Sequence, residues 1–261
     1  MTGLQAMLLA ITVTVTPPRP MDDSEIATGA QIYHGAYTLA LAGVPLAQSR
    51  FESILDGNRF TIRGKASSAG LASLFDSTAG NTKVSGRFVG DRARPDRFDL
   101  QYKSGDQTRV TKVSFVNGAA AKTTNTPASR KPKNWIAVKP DDLRQVHDPL
   151  SATLIRTDDP NQVCSRVLRI YDGQFRMDLV LSPESAGPVP GYDGEAVTCS
   201  AQFVPVSGYQ STNRSIRYVK ENAKISISFA EFGETGIYAP VRATIGTMIG
   251  TLTVSATHTK G

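Results

Sequence analysis

The chain has 261 residues, a formal net charge of +6, two cysteines, three histidines and one tryptophan. That length suits one large β domain or two small ones. The basic residues are scattered, no recognition-helix pattern occurs, and Trp135 alone is a poor stacking platform, which argues against nucleic acid. An anionic envelope surface remains a permissible partner for the positive charge.

Residues 3–16, GLQAMLLAITVTVT, are an apolar run of signal-peptide length, too short to span a membrane. Residues 17–30 read as a polar, Pro-rich linker, so residues 1–30 are taken as a signal-like segment with cleavage between 16 and 30. No Lys or Arg precedes Arg19, which makes the n-region atypical or truncated. No later run is long enough for a transmembrane helix, and the expectation is an exported, soluble mature chain.

From residue 31 onward the pattern alternates at period two, as in half-buried strands. Segment 32–43 puts Tyr33, Tyr37, Leu39 and Leu41 on one phase, and 50–66 reads as a hairpin turning at Asp56-Gly57. Phe51 and Ile54 precede that turn, and Phe60 and Ile62 follow it. Segments 82–89, 96–103 and 108–116 continue the series, with a turn at Ser104-Gly105-Asp106. Two basic stretches, 87–97 and 130–139, read as solvated loops, and 123–133 as a polar loop where two strand-rich halves meet, near 123–140. Helices are expected only at 69–77 and at 141–159, the latter with Asp148-Pro149 as N-cap and first-turn proline. Strands resume at 167–173, 175–182, 195–206, 223–232, 238–246 and 249–257, with Asp172-Gly173 as a second hairpin signal.

The count is about twelve strands. With few crossover helices a parallel sheet is disfavoured. A long antiparallel sheet solves its edge problem by curling. The expected fold is therefore mainly β, an antiparallel barrel or open spiral-like barrel with one or two short helices, formed by residues 31–257 as a single domain.

Cys164 stands just before one strand-like run and Cys199 ends another. Their spacing is too long for CxxC redox chemistry, and no His/Cys cluster surrounds them for zinc. They read first as a structural disulfide across paired strands, with free buried thiols as the alternative. His34, His147 and His258 have no paired spacing. A Ser-His-Asp set can be written on paper around His147 and Asp148, but there is no GxSxG elbow. Segment 57–66 echoes a phosphate loop with the wrong spacing and on a strand. Asp141-Asp142 and Asp158-Asp159 read as capping charges rather than an acid/base pair, and 172–178 as a turn rather than a calcium loop. Arg166, Arg169 and Arg176 alternate with apolar residues as a solvated or Asp178-paired face of a hairpin.

Three ordered motifs carry a resemblance. They are Tyr37 to Glu52 (YTLALAGVPLAQSRFE), His147 to Leu154 (HDPLSATL), and the block with Cys164, Arg166, Leu168, Ile170-Tyr171-Asp172-Gly173, Arg176, Asp178, Tyr192, Gly194, Ala196, Cys199 and Pro205 through Tyr209. In this order they resemble domain-of-unknown-function family 3108, in its exported alphaproteobacterial form, over about residues 33–255. The resemblance implies a bacterial envelope protein, mostly β, with a signal peptide and no assigned activity. It supplies no catalytic residues. Together these readings lead us to expect a periplasmic, non-catalytic, monomeric envelope protein without cofactor or metal, binding an amphipathic ligand or an envelope partner. The alternative is an envelope glycan- or lipid-acting hydrolase built from sequence-distant carboxylates.

Overall fold

The computed structural model describes residues 29–70, 78–129 and 131–260, the last four side chains excepted. The signal-like segment, the 69–77 helix expectation, Arg130 and the His258 side chain lie largely or wholly outside what is described.

Fourteen strands form one antiparallel sheet. Its first seven strands are a meander: β1 (Gln31–Leu41), β2 (Val44–Asp56), β3 (Arg59–Ser68), β4 (Thr78–Val89), β5 (Arg92–Ser104), β6 (Gln107–Val116) and β7 (Ala119–Thr126). β8 (Trp135–Ile136) pairs apart from the sheet with β13 (Tyr209–Gln210). After β9 (Ile155–Arg156) come β10 (Val167–Tyr171), β11 (Arg176–Pro188), β12 (Glu195–Ser207), β14 (Ile225–Glu231), β15 (Ile237–Thr247) and β16 (Gly250–Lys260). Among the described residues one α-helix, α1 (Arg214–Asn222), packs on β12 and β15.

Closure comes from pairing the ends of the chain. β16 returns to pair with β1, joining the C-terminal strands to the N-terminal meander. β9 then bridges β5 (Arg92↔Ile155) and β15 (Tyr238↔Ile155), which completes a ring of eight: β15-β16-β1-β2-β3-β4-β5-β9. β6-β7 extend from β5, and β14-β12-β11-β10 extend from β15, so six strands stand outside the ring. Segment 144–147 ties these two wings together through an Ala119↔Arg144 bridge and a His147↔Ile170 bridge.

Alternation explains the interior. Phe60, Ile62, Val84, Phe88, Phe98 and Val113 share the inward phase and form one buried cluster. A second cluster holds Leu168, Ile170, Leu181, Cys199, Ile227 and Phe229 from the other wing. A third, smaller cluster holds Ala196, Ala230, Val241 and Ala256, and the first also takes Tyr171, Ile237 and Ala239 from the second half, so the two strand-rich halves share their interior.

Several local expectations need correction. The β2–β3 turn is Gly57-Asn58, one residue later than expected, with Asp56 opposite Arg59; Leu55 rather than Ile54 is then the buried partner of the hairpin. Gly57 takes the positive φ (56°) that the tight turn demands. The 87–97 stretch is a β4–β5 ladder rather than a loop, its charges paired as Arg87–Asp96 and Arg97–Asp99. β7 occupies the first part of the expected 123–133 loop. No α-helix forms over 141–159. Short 3-10 turns at 140–143, 151–153 and 160–162 flank β9 instead. Leu154 and Ile155 must fill opposite clusters to seal the ring, which a helix presenting one apolar face cannot do. The α-helix present among the described residues, α1, is not one of those expected from the sequence; Asn213 caps it by accepting from the Ile216 N–H (3.1 Å).

Cys164 and Cys199 are joined in a disulfide (Cα–Cα 5.3 Å), both fully buried. The bridge does not link paired strands. Cys164 lies in the loop before β10, Cys199 is inside β12, and β11 stands between them. It therefore ties the outermost strand of the wing down onto the inner face of the sheet.

Candidate functional site

The hairpin turns sort the barrel into two ends. Turns 42–43, 105–106 and 248–249 lie at one end; turns 57–58, 90–91 and 117–118, with β9, lie at the other.

Among the described residues nothing covers the first end. Below it lies a cavity of about 460 Å³, lined by Leu39, Ala47, Phe51, Ala66, Leu100 and Tyr102. These belong to the inward phase that buries Phe60, Ile62 and Val84 further down. The cavity arises because that phase changes from large side chains to Gly64, Ala66 and Gly80 as the strands approach this end. Gly64 is required there, since a Cβ would stand 2.4 Å from the Phe51 ring and 2.8 Å from Thr82. The rim is apolar at the adjacent hairpins: Val44, Met248 and Ile249 are exposed, Ile249 by 76%. On the outer face of the same strands a polar groove carries Arg50, Lys65 and Lys103. Tyr37 packs edge-on against Phe51 (ring centroids 5.7 Å) and donates its hydroxyl to Pro240 O (3.0 Å); burial, with the Tyr192 hydroxyl nearby, pushes its pKa up to about 12.

The second end holds a polar cleft of about 750 Å³ between the β4–β5 turn, segment 145–157 and segment 162–169. Asp91, Arg92, His147, Ser151, Thr157 and Arg166 are on its wall. This is where the paper triad is tested. Asp148 is wholly buried and does not face the imidazole: its carboxylate accepts from the Leu150 N–H (2.9 Å), the Ser151 N–H (3.1 Å) and the Ser151 hydroxyl. These bonds close the turn just ahead of the 151–153 3-10 turn, whose own N-cap position is Leu150. Asp148 is not the helix N-cap expected from the sequence: no helix forms there, and the carboxylate serves a turn instead. Burial raises the Asp148 pKa. His147 Nδ1 is buried without a hydrogen-bond partner, and burial, together with the Arg94 charge, takes the imidazole pKa down to about 4. A neutral imidazole with no carboxylate behind it and a serine already donating to Asp148 is not a nucleophile relay.

The other sequence candidates are structural. Asp142 accepts from the Lys139 N–H (2.9 Å), Asp141 pairs with Arg144 on the surface, and Asp159 caps the 160–162 turn. Asp172 closes the β10–β11 loop by accepting from the Gln174 and Phe175 N–H groups. Arg176 is buried rather than solvated, bonded to Asp178 and to the Asp142 carbonyl (2.8 Å). Arg169 is exposed opposite Asp178, and Arg166 turns into the cleft. His34 is exposed and lines a different recess from His147, beside Tyr33 and Glu231. Among the described residues no three His, Cys, Asp or Glu side chains are grouped to hold a metal ion.

Comparison with known proteins agrees with the ordered motifs. The family described as "Protein of unknown function (DUF3108)" matches residues 36–257. The chain belongs to the DUF3108 family. No curated protein matches. Among solved structures, a beta-barrel-like protein of domain of unknown function DUF1849 from Brucella abortus is similar at 9% identity and a TM-score of 0.46, over 88% of this chain and 97% of that one. Of the described helices in this DUF3108 chain, none is long and apolar enough to cross a membrane.

Proposed function

We propose that this DUF3108 protein is a non-catalytic component of the cell envelope that holds the apolar part of an amphipathic ligand in the open end of its barrel. One observation carries the reading: a cavity of about 460 Å³ with an almost wholly apolar lining, opening at a rim of exposed Val44, Met248 and Ile249. Its size falls within the ~300–1,000 Å³ typical of small-molecule pockets. A hydrocarbon chain gains about 0.8 kcal/mol for each CH₂ buried there. Arg50, Lys65 and Lys103 on the outer face of the same strands suit an anionic head left in water. The Cys164–Cys199 bridge supports an oxidising compartment, and with the signal-like segment it favours the periplasm.

The test is native mass spectrometry of protein purified from the periplasm, followed by titration with a fluorescent fatty acid. We expect a retained lipid mass, and saturable binding that Ala66→Phe abolishes without lowering the melting temperature. Ala66 is on the inward phase and exposed to the cavity, so a larger ring enters open space. Absence of fatty-acid binding, or binding indifferent to Ala66→Phe, rejects the reading.

A further inference from the structure

The cleft at the second end plays no part in holding an acyl chain, yet its charges are arranged around a gap. Arg92 Nε stands 3.9 Å from Asp91 Oδ1, and Arg166 Nη1 stands 3.8 Å from Asp91 Oδ2. A charge-assisted N–H···O bond runs about 2.7–2.9 Å. The Asp91 carboxylate therefore sits between two guanidinium groups, one oxygen toward each, and bonds neither. Arg166 is held in place from behind: its Nε and Nη2 donate to the Gln162 carbonyl (3.3 and 3.0 Å), which leaves Nη1 directed at the gap. Its side chain is only 18% exposed, so its charge is weakly screened. Arg169 adds a third cation on the cleft wall. Three arginines and one carboxylate, Asp91, thus line the cleft.

The remaining wall is mixed: Gln145, Ser151, Thr157, Gln162 and Ser165 offer hydrogen bonds beside Leu154, Val167 and Leu168. The volume of about 750 Å³ exceeds what a lone inorganic anion needs.

We infer that this cleft binds a phosphate monoester carried on a sugar or polyol, with Asp91 keeping the place between Arg92 and Arg166 that the phosphate takes. A phosphate monoester brings about −1.5 to −2 charges near pH 7 and three acceptor oxygens. It reaches two guanidinium groups at bonding distance at once, which a single planar carboxylate spread between them does not. The polyol body then meets the amide and hydroxyl side chains of the wall. The same chemistry is offered by a free sugar phosphate and by a phosphorylated lipid headgroup.

Isothermal titration of the mature protein with glycerol phosphate, and sedimentation with phosphatidylcholine vesicles doped with phosphatidic acid, separate these sources. Arg92→Gln should weaken binding about tenfold. Asp91→Asn should tighten it by a similar factor, because it removes the internal competitor. Both side chains are about 60% exposed and loosely engaged, so neither variant threatens the fold. Arg109→Gln, on β6, should change nothing. Binding of glycerol phosphate alone assigns a soluble ligand, and binding of the doped vesicles alone assigns a headgroup; either supports the site when the two variants move affinity in opposite directions. Binding of neither probe, or binding that Arg92→Gln and Asp91→Asn leave unchanged, overturns it. Ala66→Phe is without effect in this assay, so the acyl-chain cavity and the phosphate cleft stand or fall separately.

Discussion

Removing the disulfide is the perturbation whose size follows most directly from the structure. The bridge closes a loop with a sequence separation of 35, which contains β10, β11 and the first part of β12. Chain entropy for a loop of that length corresponds to about 4 kcal/mol taken from the unfolded state. A chain of this size shifts its melting temperature by about 2–4 °C per kcal/mol. Cys164→Ala/Cys199→Ala is therefore expected to melt roughly 8–16 °C lower than the oxidised wild type by differential scanning calorimetry. The location of the bridge adds a regional signature. β10 pairs with β11 on one side and meets only the single His147↔Ile170 bridge on the other, so hydrogen exchange should accelerate first in β10 and the 163–166 loop. A melting temperature within about 2 °C of wild type would show that the unfolded chain does not gain this loop freedom, and would refute the reasoning.

Three further outcomes are expected. Gly208→Ala should cost several kcal/mol and yield little folded protein, because Gly208 has φ +81° and its added Cβ would stand 1.8 Å from the Gln174 carbonyl oxygen; circular dichroism melts of the purified variant check this. Arg176→Met should destabilise by about 3–5 kcal/mol in urea titration, since it strands the Asp178 carboxylate and frees the Asp142 carbonyl at a side chain that is 4% exposed. For His147 the folded pKa, about 4, lies below the ordinary 6.5, so the unfolded chain takes up the proton first as pH falls. Stability should drop between about pH 7 and 4, by at most about 3 kcal/mol, and this slope should be missing from His147→Gln. The neighbouring Asp148, raised by burial, contributes the opposite slope, which is why the wild-type-minus-variant difference is the quantity to compare.

Much of the barrel was legible because strands write their burial locally. Tyr33, Tyr37 and Leu39, or Phe60 and Ile62, alternate in the chain as they do in the sheet, so β1 to β6 could be placed to within a few residues. The Gly57-Asn58 turn slipped by one because both Asp-Gly and Gly-Asn are competent turn dipeptides, and packing of Leu55 rather than Ile54 chose between them. Residues 141–159 failed for a different reason. Their helical spacing is real, but Leu154 and Ile155 are claimed by two separate clusters, and tertiary demand overrides local preference. The short α1 escaped because its signal is one capping asparagine and a few apolar positions, Ile216 and Val219 among them.

The two candidate sites divide in the same way. The inward phase that makes the apolar cavity can be written from the sequence, including its change to Gly64, Ala66 and Gly80, but not the fact that those positions are left unfilled. The cleft could not be read at all. Arg92 and Arg166 are 74 positions apart, and they meet only because β9 closes β5 against β15 and draws the 162–169 segment over the β4–β5 turn.

By itself, then, the sequence determined the class of fold, most of the strand phases, the family and the pair of cysteines available for a bridge. These depend on neighbours in the chain, where a period of two and a turn dipeptide are sufficient signals. Which strands close the ring, which strand the disulfide clamps, whether Asp148 serves His147 or a turn, and where three arginines gather were decided only in three dimensions. Each of these joins residues far apart in the chain through packing and long-range pairing, and no local pattern records such a meeting.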